Sequence, residues 1–344
     1  MTEAGNTFII AEAGVNHNGR LDLALRLVEV AAEANADAVK FQTFRADQLA
    51  SAAAPKAAYQ SEQTGSGSQI SMLRQLELSE ADHRAVVQRC LELGIEFMST
   101  PFDADCADFL VGLGMRRIKV PSGELTNKPF IEYLAMLGRP LLISTGMATL
   151  EEVKEALGWI EAVREVLPLK PPITLLHCTS NYPTAPDDVN LRAMATIASE
   201  TGLAVGYSDH TNGIGVATAA VALGATVIEK HFTLDRNMQG PDHHASLEPS
   251  DLAEMVNAIR FVERCLGDGV KKPRATEWVM RDVARRSLTL VKSMNRGDIL
   301  QPGNIAILRP GNGIAPKFEK HIIGRSLARA LPGGTTLQWN DLQE

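Results

Sequence analysis

Two histidines stand near the carboxyl ends of two consecutive apolar segments that have the length and β-branched content of strands. His210 belongs to residues 204–211, and His231 belongs to residues 227–233. Neighbouring strands lie about 4.8 Å apart, so imidazoles at matching heights on two such strands can share one ion. Two imidazoles with oxygen donors suit Mn²⁺, Fe²⁺ or Zn²⁺. The pair therefore predicts a divalent metal site, whereas either histidine alone would be interpreted as an ordinary hydrogen-bonded group.

Two lysines occupy similar segments. Lys40 lies within residues 38–44 on the same face as Gln42, and Lys119 lies within residues 117–123. A lysine in the interior of a protein is costly unless it is paired or faces an anion. Two lysines that converge on one edge of a sheet predict an anionic ligand.

Hydroxyl and carboxyl side chains gather at the same segment ends. Thr100, Ser144 and Ser208 could donate hydrogen bonds to phosphate or carboxylate oxygens. Glu12 and Glu124 are candidate acceptors for sugar hydroxyls or general acid-base groups, with solvated carboxylates as the alternative. Any one of these residues is readily explained as part of a turn, so the prediction depends on the whole cluster.

Eight segments with the pattern of strands alternate with segments of helical period. They are residues 8–12, 38–44, 96–102, 117–123, 140–146, 173–180, 204–211 and 227–233. Such alternation implies parallel pairing through right-handed crossovers, and eight units over about 265 residues match a closed (β/α)₈ TIM barrel. An open doubly wound sheet is the alternative, but no G-x-G-x-x-G sequence follows the first segment. A barrel would bring all these segment ends to one mouth, where the long connections 45–79 and 234–249 would form lids or pocket walls.

The domain organisation is predicted as a barrel over residues 1–268, a linker over 269–286 and a compact β-rich domain over 287–344. Residues 271–344 hold 13 Lys and Arg against 6 Asp and Glu, a balance of +7, which leaves −14 for residues 1–270. A basic segment can indicate nucleic-acid binding, but no aromatic stacking pattern accompanies it. Charge complementarity instead favours docking against the acidic part of the protein.

Composition narrows the class of protein. Hydrophobic residues make up 45% of the 344, and no stretch approaches the roughly 20 apolar residues of a membrane helix. Residues 1–6 lack a basic-then-apolar leader, and the four cysteines form no C-x-x-C pair. We therefore expect a cytoplasmic protein with reduced thiols that acts on small molecules, not on nucleic acid or membrane.

Nine short motifs, each at a predicted strand end or in a mouth loop, together resemble the sialic acid synthase family of N-acetylneuraminate and legionaminic acid synthases. They are IAEAGVNHNG (10–19), VKFQT (39–43), STPF (99–102), KVPSGE (119–124), STGM (144–147), HCT (177–179), GYSDHT (206–211), EKHFT (229–233) and GPDH (240–243). The C-terminal part, with RPGNG at 309–313, resembles the antifreeze-like SAF domain of the β-clip type that these synthases carry. The resemblance covers essentially the whole chain.

The resemblance implies an enzyme that condenses phosphoenolpyruvate with an N-acetylmannosamine-type sugar and water, and releases phosphate. His210 and His231 would hold the metal, with Mn²⁺ expected and Mg²⁺ or Co²⁺ as alternatives, and the ion would polarise the open-chain sugar aldehyde. The residues expected around phosphoenolpyruvate are Lys40, Thr100, Lys119, Ser122, Ser144 and Ser208. Those expected to face the sugar are Glu12, Gln42, Tyr182 and Asp242, with Glu124 assisting proton transfer or water placement. Arg309 would reach the sugar from the partner subunit of a domain-swapped homodimer.

One position departs from the pattern of the family. Some members have Asn two residues before the tyrosine, where this chain has Ser180, with Asn181 beside Tyr182. Recognition at this point is therefore open between Ser180 and Asn181.

Three functional alternatives remain at this stage. N-acetylmannosamine is the first expectation for the sugar, and 2,4-diacetamido-2,4,6-trideoxymannose, the substrate of a legionaminic acid synthase, is the alternative. A condensation that makes ulosonic or heptulosonic phosphates would need a second anion site, and no surplus basic cluster is present at the strand ends. A non-catalytic binding protein is the alternative from another class.

Overall fold

The computed structural model describes residues 6–343, except the side chains of residues 58 and 59. The chain forms two compact units that divide after Gly267. The first unit contains eight strands: β1 Phe8–Gly14, β2 Ala38–Thr43, β3 Glu96–Pro101, β4 Ile118–Val120, β5 Leu141–Ser144, β6 Ile173–Cys178, β7 Ala204–Asp209 and β8 Val227–His231. All eight predicted segments are therefore strands.

The eight strands form a nearly closed parallel barrel. Their order in the sheet is β3-β2-β1-β8-β7-β6-β5-β4, and β3 and β4 also lie in contact with each other. The paired strands run parallel, so their carboxyl ends meet at one mouth. The predicted TIM-barrel class is confirmed.

The inward-facing side chains of the strands are apolar near the amino ends and mostly polar near the carboxyl ends. The inward residues near the amino ends form an apolar cluster of Ile10, Ala38, Met98, Leu142, Leu176 and Val227. Side chains two residues further along a strand point to the same side. In this chain those positions are mostly polar, with Glu12 following Ile10, Lys40 following Ala38 and Glu229 following Val227. The change occurs at one height around the barrel and defines the level of the site.

Helices cover the outside of the barrel. They are α1 Leu21–Glu33, α2 Ala46–Leu49, α3 Ala58–Thr64, α4 Gln69–Arg74, α5 Glu80–Leu93, α6 Ala104–Gly112, α7 Lys128–Met136, α8 Leu150–Arg164, α9 Ala193–Thr201, α10 Gly215–Ala222 and α11 Pro249–Leu266. The inward faces of the longer helices and the outward faces of the strands share one apolar core. Within the part of the chain that the structure describes, no helix has both the length and the hydropathy needed to span a membrane.

The long connection between β2 and α5 carries the three short helices α2, α3 and α4. Met72 and Leu76 from this connection pack with Val15 and Phe44 in a small apolar cluster beside the mouth. The connection is therefore fixed against the barrel rim through its own hydrophobic contacts.

The second unit contains helix α12 Ala275–Ala284, the antiparallel strands β9 Ser287–Leu290 and β10 Ile305–Leu308, and the short helix α13 Glu319–Ile322. Its core is a separate apolar cluster that includes Leu288, Leu300 and Leu327. Residues 269–286, predicted as a linker, include α12, none of whose residues is buried. The glycines and proline before α12 and the scattered charges concealed its helical period.

Candidate active site

A cavity of about 560 Å³ opens at the mouth of the barrel. Twelve of the predicted site residues line it: Glu12, Lys40, Gln42, Thr100, Lys119, Ser122, Ser144, Tyr182, Ser208, His210, His231 and Asp242. These residues are up to 230 positions apart in the chain, and the barrel brings them together because strand ends converge at one mouth.

Two lysines and two glutamates form a buried network at the base of the cavity. Lys40 Nζ lies 2.7 Å from Glu12 Oε2 and 3.7 Å from Glu229 Oε2. Lys119 Nζ lies 3.3 Å from Glu229 Oε1. The four side chains are at most 5% exposed. Burial of this kind requires pairing, and the arrangement holds both ammonium groups at one level of the cavity.

Neighbouring polar groups complete the hydrogen bonds of this network. Lys40 Nζ donates to Thr100 Oγ1 at 2.9 Å. Ser208 Oγ donates to Glu229 Oε1 at 3.0 Å. The Gln42 amide donates to Glu12 Oε1 at 3.4 Å. The orientation of the charged groups is therefore set before any ligand binds.

The two carboxyl groups have opposite protonation preferences. Burial raises the pKa of Glu12 to about 7, against the opposing pull of Lys40. Burial would also raise the pKa of Glu229, but Lys119 and Lys40 outweigh it and bring that pKa to about 2. Near neutral pH Glu12 is present in both protonation states, whereas Glu229 remains ionised. Glu12 can therefore act as a proton donor, while Glu229 provides a fixed negative charge beside it.

His210 and His231 lie side by side at the cavity wall, with ring centroids 5.4 Å apart. The Nδ1 of His210 is 2.7 Å from the Thr179 carbonyl oxygen, so Nδ1–H donates and the lone pair is at Nε2. The Nδ1 of His231 is buried without a hydrogen-bond partner and lies 4.0 Å from Asp242 Oδ2. Burial lowers the pKa of His231 well below its usual value, so its imidazole is neutral.

The histidine pair fits a divalent cation. The neutral ring of His231 has one unpartnered buried nitrogen, and the ring of His210 is oriented by its bond to the Thr179 carbonyl oxygen, which is the arrangement expected of metal ligands. Among residues 6–343 no group of three or more His, Cys, Asp or Glu side chains is arranged to hold a metal. A cation bound here would therefore take two ligands from the protein and its remaining ligands from water or substrate oxygens.

A second group of small polar side chains lies across the cavity from β1. Ser122 Oγ accepts a hydrogen bond of 3.0 Å from the Gly146 amide and lies 3.7 Å from Cys178 Sγ. A Cβ at position 146 would collide with the Ser180 and Ser122 hydroxyl oxygens. Glycine at this position thus lets two hydroxyls approach one backbone amide, which is suitable for holding phosphate or carboxylate oxygens.

One wall of the cavity is apolar. Leu49, Met72, Leu73 and Leu76 from the connection between β2 and α5 line it, together with Phe102. Gln60 and Gln69 of the same connection also line the cavity. The apolar wall can accept methyl groups of a ligand whose other atoms make hydrogen bonds.

Three predicted site residues do not line this cavity. Glu124 lies in a 3₁₀ turn, Ser122–Glu124, that redirects the chain after β4, and its Oε2 accepts a 2.6 Å hydrogen bond from the Asn127 amide. Asn181 is exposed, and Ser180 lines the cavity in its place. Arg309 belongs to the second unit, where its Nε donates to the Ala284 carbonyl oxygen at 3.1 Å. Strand alternation does not extend to residues in turns, and the roles expected of Glu124, Asn181 and Arg309 stay predictions.

Two chemically reactive side chains are among the cavity residues that the prediction omitted. Glu229 and Cys178 both line the cavity. Glu229 stands two residues before His231 on the same face of β8, so its alternation with a predicted ligand was the signal that could have identified it. Cys178 follows the apolar Leu176 by two residues, but a lone cysteine gives no chemical signal of its own.

The fold and the cavity together define an α/β barrel with two lysines paired to two glutamates at the base of its mouth and two adjacent imidazoles at its wall. Residues 27–271 match the family model described as the NeuB family, and residues 285–343 match the SAF domain. The chain belongs to the NeuB family, whose sialic acid synthases are phosphoenolpyruvate-dependent condensing enzymes. Membership confirms the predicted resemblance and excludes a non-catalytic binding protein.

Several known proteins are similar over most of the chain. An N,N'-diacetyllegionaminic acid synthase of Legionella pneumophila is 50% identical over 98% of this chain and 94% of its own length. A protein of the same description from Campylobacter jejuni is 46% identical over 93% of this chain and 95% of its own. The crystal structure of an N-acetylneuraminic acid synthetase from Leptospira borgpetersenii is 34% identical with a TM-score of 0.70, over 80% of this chain and 90% of that one.

Proposed function

We propose that this chain condenses phosphoenolpyruvate with 2,4-diacetamido-2,4,6-trideoxymannose and water to give N,N'-diacetyllegionaminic acid and phosphate. The observation that carries the choice of sugar is the 50% and 46% identity to two proteins described as legionaminic acid synthases, against 34% to an N-acetylneuraminic acid synthetase. N-acetylmannosamine was the first expectation from sequence. The relatives favour the alternative.

The apolar wall supports the same sugar. A 6-deoxy sugar carries a methyl group where N-acetylmannosamine carries a hydroxyl, and a second acetamido group adds another methyl. Leu49, Leu73 and Phe102 offer apolar contacts for these methyl groups, and the side-chain amides of Gln60 and Gln69 from the same connection can bond to acetamido oxygens. A hydroxyl left unpaired against such a wall would weaken binding.

The charge of the cavity supports an unphosphorylated sugar. Among the described residues that line it, the lysines and arginines are Lys40 and Lys119, and each lies within 3.7 Å of a carboxylate. Phosphoenolpyruvate alone engages both. A sugar phosphate would need a further cation, which disfavours the condensations that make ulosonic or heptulosonic phosphates.

In the proposed reaction Lys40, Lys119 and the hydroxyls of Thr100, Ser122, Ser144 and Ser208 hold the phosphate and carboxylate of phosphoenolpyruvate. C3 of phosphoenolpyruvate forms a bond to the aldehyde carbon of the open-chain sugar, and positive charge grows at C2. Water adds at C2 and gives one proton to the Glu12 carboxylate, and the resulting tetrahedral intermediate expels phosphate by cleavage of the bond between C2 and the phosphate oxygen, with the remaining hydroxyl proton leaving on phosphate. The carboxylate of Glu229, ionised throughout, stabilises the positive charge.

Proton transfer is assigned to Glu12. Its pKa of about 7 leaves a proton available on the carboxyl group near neutral pH. Glu12 would give that proton to the aldehyde oxygen as the carbon–carbon bond forms. Gln42, Tyr182 and Asp242 would orient the sugar.

His210 and His231 would hold a divalent ion, with Mn²⁺ expected and Mg²⁺ or Co²⁺ as alternatives. When bound, the ion would supply Lewis-acid polarisation of the sugar aldehyde. The neutral state of His231 and the oriented tautomer of His210 support this assignment.

The active form is proposed as a domain-swapped homodimer in which Arg309 of one subunit reaches the sugar bound by the other. Within its own unit Arg309 is exposed. A cytoplasmic location is part of the proposal and is supported by the free thiols of Cys90, Cys106, Cys178 and Cys265.

The test is release of phosphate from phosphoenolpyruvate with Mn²⁺ and each candidate sugar in turn. We expect the highest kcat/KM with 2,4-diacetamido-2,4,6-trideoxymannose and a lower value with N-acetylmannosamine. The reverse order would contradict the proposed sugar. Equal rates with and without any sugar would contradict the synthase activity itself.

A further inference from the structure

A buried ion pair lies on the outer face of the barrel directly behind the histidine pair. Lys230 Nζ is 2.9 Å from Asp209 Oδ2, and both side chains are 0% exposed. Asp209 immediately precedes His210, and Lys230 immediately precedes His231. The two charged residues are also cross-strand partners in the register of β7 and β8.

The reaction does not explain this pair. Successive residues on a strand point to opposite sides, so Asp209 and Lys230 face away from the cavity that His210 and His231 line. Neither is among the residues that line that cavity. Two charges in a dry core carry a large desolvation penalty, and an apolar pair of similar volume would often be as stable.

The hydrogen bonds of Asp209 and Lys230 fix the backbone around His210. The ladder between β7 and β8 ends at the Asp209 and Lys230 partners, so His210 lies beyond the last paired residue of β7. Asp209 Oδ1 accepts from the amide and the hydroxyl of Thr211, both at 2.8 Å. Lys230 Nζ also donates to the Thr211 carbonyl oxygen. The pair therefore ties the residues on both sides of His210 to the strand that carries His231.

The other flank of His210 is fixed separately. The Thr184 amide donates to the His210 carbonyl oxygen at 2.8 Å. Without the ion pair, His210 would keep its link toward β6 but lose its side-chain tether toward β8. The spacing between the two imidazoles would then be free to vary.

We propose that Asp209 and Lys230 are positioning residues that fix the spacing of His210 and His231 and thereby set the affinity for the divalent ion. This inference rests on the metal site of the proposed function. Groups that orient metal ligands from behind typically change metal affinity by about tenfold to a hundredfold when they are removed.

The experiment measures the Kd for Mn²⁺ from the electron paramagnetic resonance signal of free Mn²⁺, with the melting temperature and circular dichroism of each protein recorded alongside. The test variant is the double substitution Asp209→Asn with Lys230→Met, because removal of one partner alone would leave an unpaired buried charge. The matched control is Glu200→Gln with Lys154→Met, which removes a half-exposed surface pair of 2.7 Å.

We expect the double variant to retain its fold and to bind Mn²⁺ at least about tenfold more weakly, while the surface control binds as the parent does. A folded double variant with an unchanged Kd would overturn the inference. If the double variant does not fold, Thr211→Val decides, since it removes one hydrogen bond to Asp209 and retains the charges. An unchanged Kd in Thr211→Val would then overturn the inference, and a Kd raised severalfold would support it.

Different results would overturn the proposed metal site and the positioning role of Asp209 and Lys230. A parent protein whose Mn²⁺ binding is insensitive to His210→Ala would overturn both the metal site and this inference. A parent that binds Mn²⁺ through His210 but whose double variant binds equally well would overturn the positioning role alone.

Discussion

Glu12 and Glu229 share the same two lysines as neighbours and differ in which lysine lies closer. Glu229 has contacts with both ammonium groups and a serine hydroxyl, whereas Glu12 pairs with Lys40 as its one ammonium partner and accepts a hydrogen bond from the Gln42 amide. Burial therefore prevails at Glu12 and raises its pKa, while the lysines prevail at Glu229 and lower it. At the scale of single residues, the local environment divides the chemical roles of two identical groups.

Lys119→Met is expected to weaken the binding of phosphoenolpyruvate. A charge-assisted contact is worth about 1.5 to 3 kcal/mol, so KM for phosphoenolpyruvate should rise roughly tenfold to a hundredfold. Steady-state kinetics at saturating sugar measure the change. Lys170→Met, at an exposed position, should leave KM unaltered, and an unaltered KM in Lys119→Met would disprove its assignment to the anion.

The buried His17 should make the free energy of unfolding decrease at acid pH. Burial lowers the pKa of His17 to about 3 from 6.5, and its Nδ1 accepts a 3.0 Å hydrogen bond from the Gly19 amide. The unfolded chain therefore binds a proton that the folded chain rejects between these two values. The free energy of unfolding should fall as pH decreases from 6.5 towards 3, by up to about 1.4 kcal/mol per pH unit from this group.

Urea unfolding at pH 7 and pH 4.5 measures that effect. His17→Asn retains a hydrogen-bond acceptor but does not titrate in this range, so its stability should decline less with acid than that of the parent. His244→Gln changes an exposed histidine and should follow the parent. Identical slopes for His17→Asn and the parent would contradict the effect attributed to His17.

At the scale of elements, strand alternation made much of the site predictable. Each inward residue near a strand end could be identified from its spacing, because a period of two fixes the face. Spacing gives no such guide where the chain leaves the strands, as at Glu124 in its 3₁₀ turn and at the exposed Asn181, neither of which lines the cavity. The apolar wall was also missed, since residues 45–79 showed only that a long connection exists and not which of its side chains pack inward.

Leu73→Gln should change the choice of sugar. Leu73 lines the cavity from helix α4 and is only partly buried, so a polar substitution is tolerated by the fold. A lost apolar contact is worth about 1 to 3 kcal/mol in substrate discrimination. The ratio of kcat/KM for the 6-deoxy diacetamido sugar to that for N-acetylmannosamine should fall roughly tenfold or more.

The same kinetic ratio in Leu91→Gln provides the control, because Leu91 is 69% exposed on helix α5. A ratio that stays constant in Leu73→Gln would show that the apolar wall does not select the sugar.

At the scale of the whole molecule, the chain is two units with separate cores, and both match known families. The barrel class and the β-rich C-terminal domain could be predicted, because period and composition change along the chain. The helix α12 was not predicted: apolar residues such as Trp278 and Val279 recur at helical spacing, but the glycines and proline that precede them led to the prediction of a linker. The predicted docking of the basic part on the acidic part stays a prediction.

A mixture of two inactive variants should recover activity if the proposed homodimer is correct. His210→Ala removes the metal ligand of the barrel, and Arg309→Ala removes the arginine that the other subunit contributes. A swapped heterodimer of the two variants would therefore contain one intact site and one that lacks both residues. Random exchange of subunits would restore about a quarter of the parental rate. Mixed subunits that stay inactive after verified exchange would refute action of Arg309 across subunits.

In the proposed function, turnover depends on a metal held by the paired imidazoles at the barrel mouth. Phosphate release by purified His210→Ala, with phosphoenolpyruvate, the preferred sugar and saturating Mn²⁺, tests it most directly. We predict loss of metal-dependent turnover with an unchanged melting temperature. Full activity of the folded variant would contradict the account.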